Sequence, residues 1–86
     1  MLNGEFLNQQ AAILADYLRQ HVGRSPRECV TTALWQVLQR PPGNDEVDRG
    51  VHLLETLQHD HQVDADQALD YFCLMVLNLN EFIYLD

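Results

Sequence analysis

The chain has 86 residues and a formal net charge of −8, with thirteen carboxylates set against five cations, all of them arginine. That length holds one domain with one modest core, and a hydrophobic fraction of 47% argues against wholesale disorder. A nucleic-acid binder needs a basic stripe, yet Arg19, Arg24, Arg27, Arg40 and Arg49 are scattered along an acidic chain, which argues against DNA, RNA and anionic membranes as partners.

Two cysteines, Cys29 and Cys73, are too few for a small disulfide scaffold, and no CxxC suggests zinc or thiol redox chemistry. They read as small buried hydrophobes, with a single long-range disulfide as the alternative. The N-terminal residues lack the basic and apolar regions of a signal peptide. The longest apolar run, Tyr71 to Leu77, is too short to span a membrane.

The first helix is expected from about Asn3 to Val22, with Phe6, Ile13, Leu14, Tyr17 and Leu18 as its apolar stripe. Gly23 ends it, because glycine adopts the left-handed conformation without a Cβ penalty. The second helix opens on Ser25-Pro26-Arg27-Glu28, a capping box with proline at the first helical position. Val30, Ala33, Leu34, Val37 and Leu38 supply its stripe, and Pro41-Pro42-Gly43 stops it.

Asn44 is the expected cap of the third helix, with Asp45 and Glu46 placed at its positive end. Val47, Val51, Leu54 and Leu57 should face inward, with Gly50 on the same face allowing another backbone to come close. This helix fades through His59-Asp60-His61. The fourth helix is capped by Asp64, with Gln67 three residues on and a weak staple between Val63 and Ala68. Its stripe is Ala68, Phe72, Met75, Val76 and Leu79. Because Leu69, Tyr71, Leu74 and Leu77 fill the gaps, it should be the central helix. Asn78 and Asn80 are expected to interrupt it before an apolar tail, Phe82-Ile83-Tyr84-Leu85. No strand pattern competes, so the fold class is all-α: a compact bundle of about four short helices, neighbours antiparallel.

Candidate chemistry is sparse. His52, Glu55 and His59 fall within one arc of the third helix and could hold zinc, but the arc points away from the apolar stripe, as a solvated face does. A thiol nucleophile at Cys29 would need a base, and nothing places His21, His52 or His59 beside it. Ser25, at a helix start in a short acidic four-helix chain, suggests the phosphopantetheine-bearing serine of an acyl-carrier protein. Its flanks, Arg24 and Pro26, are not the usual Asp-Ser-Leu, and the capping role already accounts for it. Trp35 lies off the main stripe of its helix, covering a helix edge or, if exposed, contacting a partner near Arg40. Phe82 and Tyr84 in the tail form a second contact candidate, against the first helix, a second copy or a neighbouring domain.

Three stretches together carry a family resemblance: Leu2-Asn3-Gly4-Glu5-Phe6, Leu38-Gln39-Arg40-Pro41-Pro42, and Leu77-Asn78-Leu79-Asn80-Glu81-Phe82-Ile83-Tyr84-Leu85-Asp86. In this order they resemble the C-terminal part of the large planctomycete proteins linked to cytochrome c domains, whose pattern reads roughly LN-x-x-F, then LGR-P-P, then LLNSNEF-x-Y-x-D. Gln39 stands where that family commonly has glycine, and Leu79 where it has serine. The resemblance implies that residues 1–86 form one helical domain at the end of a longer, exported polypeptide of the cell envelope. It supplies no catalytic residues, and CxxCH, the haem-attachment motif, is absent.

The function expected is a non-catalytic structural or protein-interaction module, binding neighbouring domains of its own polypeptide, another protein or a second copy. Trp35, Arg40, Phe82 and Tyr84 are its contact candidates, Arg40 sitting near a helix C-terminus and Asn80, Glu81 and Tyr84 anchoring the tail. No cofactor, nucleic-acid contact or membrane insertion is expected. The alternatives are a small metal-binding or enzymatic domain using His52, Glu55 and His59, and an acyl-carrier-like domain using Ser25.

Overall fold

Each helix begins and ends where short-range chemistry dictates. In the computed structural model, which describes residues 4–23, 25–60 and 62–85 with side chains through residue 78, the elements are α1 (Gly4–His21), α2 (Pro26–Leu38), α3 (Asn44–Asp60) and α4 (Ala65–Leu85). Gly23 terminates α1 at φ +94°, its amide donating to the Leu18 carbonyl at 3.2 Å. Ser25 caps α2, its Oγ accepting from the Glu28 amide at 3.4 Å, which is the serine half of the expected capping box. Asp64 caps α4, Oδ1 accepting from the Gln67 amide at 2.7 Å.

Two boundaries differ from the sequence reading. Asn44 is not the cap of α3: it is already helical, and Gly43 takes the cap position. The Val47 amide donates to the Gly43 carbonyl at 3.0 Å, while the Glu46 carboxylate reaches back to accept from the Gly43 amide at 2.8 Å. That return bond selects the register, since it needs a carboxylate three residues past the cap. Nor does Asn78 interrupt α4. Its side-chain amide donates to the Leu74 carbonyl at 2.9 Å, turning inward along the helix, and the backbone continues helical through Leu85.

The end of α1, the start of α2, the last turns of α3 and the start of α4 meet around one cleft. Tyr17 and Gln36 border one groove between α1 and α2, Gly50 of α3 lies against both Val30 of α2 and Phe72 of α4, and Leu54 and Leu69 share a wall. As expected, α4 is central, packing against all three other helices and most extensively against α1; α2 also reaches all three, and among the described residues the backbones of α1 and α3 do not approach closely. The described buried residues are all apolar, with Leu18, Val30, Phe72 and Cys73 at the centre. Each large side chain taken out of water there contributes about 1.5–3 kcal/mol. Both cysteines are buried free thiols.

The inward face of α1 is rotated from the expected stripe. Leu7, Ala11, Leu14, Ala15 and Leu18 are buried, while Phe6, Ile13 and Tyr17 lie on the exposed flank. Ala11 and Ala15 are buried in the core beside the larger leucines of this face. The stripe of α4 shifts likewise to Ala68, Leu69, Phe72, Cys73 and Val76, leaving Met75 and Tyr71 at the surface. Gly50 does what was expected of it with a different neighbour. A Cβ there would sit 2.5 Å from Val30 Cγ1, so the glycine admits a buried side chain rather than a backbone.

Candidate interaction surface

The residues that could do chemistry lie apart from one another. His52, Glu55 and His59 are all exposed on α3, and His59 Nδ1 pairs with neighbouring Asp60 Oδ1 at 3.2 Å. Among the described residues no group of three His, Cys, Asp or Glu side chains is placed to hold a metal ion. Ser25 Oγ is engaged as the cap of α2. Cys29 donates its thiol to the Gly23 carbonyl at 3.4 Å, and burial, reinforced by the charge of Glu28, holds its pKa above the ordinary thiol value. Burial pushes the Cys73 thiol further, up to about 12, with Asp70 adding to the shift. Neither sulfur has the electropositive, partly open setting of a nucleophile.

What the fold does bring to the surface is apolar. Trp35 is 52% exposed on α2, half out of water. Ile13, 62% exposed, and Tyr17, 42% exposed, stand on α1. Ile13 and Tyr17 border an open groove of about 480 Å³ with Leu14, Val37, Leu77 and Gln39. The Tyr17 ring packs against His21 with ring centroids 4.7 Å apart, which holds it upright at the rim. The size and spacing of Ile13 and Tyr17 are the sequence signal for this flank, and the same spacing is that of a core stripe.

Arg40 is held in place. Its guanidinium bonds both oxygens of Glu46, at 2.9 and 2.8 Å, and the Pro41 carbonyl at 3.2 Å. It therefore serves the start of α3, not the carbonyl end of α2 as the sequence suggested, because the Pro41-Pro42 bend carries it across. Phe82 and Tyr84, with Asn80 and Glu81, lie outside the residues whose side chains are described. Arg19 joins α1 to α4, donating to Asp16 at 2.6 Å and Asp70 at 3.2 Å, and Arg27 joins α2 to α3 through Asp48 at 2.8 Å. No described helix is long and apolar enough to cross a membrane.

Comparison with known proteins returns no matching family model, no matching curated protein and no matching solved structure.

Proposed function

We propose that this domain is a non-catalytic protein-interaction module, working within a larger exported polypeptide of the cytochrome-c-linked type that its three motifs resemble. The observation that carries the reading is Trp35. A tryptophan half out of water on the outer face of a helix, in a domain whose core is otherwise closed, is the residue type most enriched at the energetic centre of protein interfaces. Ile13 and Tyr17 are further exposed apolar side chains, on α1. Arg40, five residues further along the sequence, is pre-ordered, since its pairing with Glu46 removes rotamer entropy that docking would otherwise cost.

The chain has a single tryptophan, so 5-fluorotryptophan labelling gives one fluorine resonance. Adding the unlabelled remainder of the longer polypeptide should shift and broaden that resonance, and Trp35→Ala should weaken association by at least roughly tenfold. An unmoved resonance together with unchanged binding by Trp35→Ala would remove the reading.

A further inference from the structure

We propose a second contact, beyond the Trp35 face: the cleft at the opposite end of α2 is a docking site for a basic side chain of a partner protein. Here the end of α1, the start of α2, the last turns of α3 and the start of α4 enclose a cleft of about 740 Å³. Pro26, Cys29, Leu54 and Leu69 make its apolar part, and Asp64, Asp66, Gln58 and Arg19 make its polar part. Two helix N-termini and two C-termini meet at this end, so their dipoles oppose and the side-chain charges set the sign of the potential.

That sign is negative. Asp64 and Asp66 line the cleft with one described arginine, Arg19, whose charge is offset by its ion pairs with Asp16 and Asp70. Arg19 donates to the carboxylates of Asp16 and Asp70 and to the backbone carbonyl of Asp66 at 3.3 Å, while the Asp66 carboxylate Oδ1 stands 4.0 Å away and takes no hydrogen bond from it. Among the described residues no cation reaches Asp64, whose Oδ1 accepts from the Gln67 amide. A carboxylate accepts several hydrogen bonds, so Asp64 and Asp66 keep capacity for an incoming cation.

An apolar wall leading to an acidic rim matches a long basic side chain, whose methylene stem favours apolar surface while its charged head stays at the wet edge. Arginine fits best, because a planar fork can engage two carboxylates at once. A phosphate or nucleic acid would meet the wrong charge.

The test is a titration of the ¹⁵N-labelled full chain with an acetylated Leu-Arg-Leu-Arg-Leu amide peptide, and with the same peptide carrying neutral citrulline for arginine. Saturable shifts are expected at Gly23, Leu54, Gln58 and residues 64–69, with roughly tenfold weaker binding of the citrulline peptide. Asp64→Asn and Asp66→Asn should each weaken the arginine peptide several-fold. Asparagine caps a helix as well as aspartate does, so Asp64→Asn keeps the fold. Trp35→Ala should leave this binding unchanged. Equal binding of both peptides, insensitivity to both asparagine variants, or shifts confined to the Trp35 face would each overturn the proposal. The two readings separate cleanly: cleft shifts without a Trp35 fluorine response would leave the cleft and remove the Trp35 face, and the reverse pattern would do the opposite.

Discussion

Arg40 and Glu46 face each other across Pro41 and Pro42 in a two-pronged ion pair, and the same Glu46 carboxylate caps the backbone of Gly43. One side chain thus fixes both the bend between α2 and α3 and the first turn of α3. The Arg40 guanidinium, helped by the Gly43 amide, holds the Glu46 carboxyl at about 2 against an ordinary value of 4.5. A depressed carboxyl stabilises the folded state only above its unfolded pKa. The contribution is therefore complete above pH 4.5 and is lost as the pH falls towards about 2. Glu46→Gln should lower the melting temperature at pH 7 and flatten its decline through that window, as followed by circular dichroism. The pair is exposed, so the effect will be modest and weaker in high salt.

Gly50 is a steric requirement of the core. Alanine there gains about 1 kcal/mol of helix propensity, but its Cβ would lie 2.5 Å from Val30 Cγ1. Overpacking of that kind costs roughly 1–3 kcal/mol. Urea unfolding should show Gly50→Ala to be net destabilised. The double variant with Val30→Ala should recover part of the loss relative to the sum of the two single changes.

Gln39 occupies a left-handed position, φ 60° and ψ 28°, at the end of α2, with its amide donating to the Trp35 carbonyl. A side chain there costs about 1 kcal/mol relative to glycine. Gln39→Gly should raise the midpoint of urea unfolding, by less than that full amount, because the Gln39 Nε2 bond to the Gln36 carbonyl is lost and glycine loosens the unfolded chain. A lowered midpoint would show that the side-chain bond outweighs the strain. The departure from the resembled glycine thus falls at a site where glycine is the relaxed residue.

The buried thiols should be silent in the native state. Cys73, raised to about 12 by burial, stays protonated at pH 8 and should react with Ellman's reagent only after unfolding. Raised values also set a direction. The stability carried by the protonated Cys73 is whole below the ordinary 9.0 and is lost as the pH climbs towards about 12. Fast labelling of both thiols in native buffer would contradict the packing described.

Helix number, order and most termini were legible because their causes are local: Ser25-Pro26, Asp64 with Gln67, Gly23, and the double proline each act within one turn. The inward face of α1 was not. Phe6, Ile13 and Tyr17 carry the strongest apolar signal because they are large, whereas the face that is buried includes the small Ala11 and Ala15. A periodicity argument cannot tell one such face from the other. Gly43 and Asn44 are both good caps, and only the reach of Glu46 chooses between them. Trp35 sits off the stripe in the sequence, where partial burial is the plainer reading, and the structure leaves it 52% exposed. The cleft was not legible, since its walls come from four helices and no single stretch of sequence carries them.

The central position of α4 sets when the domain can form. A ribosome that has delivered α1, α2 and α3 has released Leu18, Val30 and Leu54 with no Phe72 or Cys73 to close over them, and the backbones of α1 and α3 make no close approach of their own. The native core is completed only when the last of the four helices emerges, so the domain folds after its synthesis and not alongside it. A chain cut before Ala65 should stay soluble only with help from a chaperone.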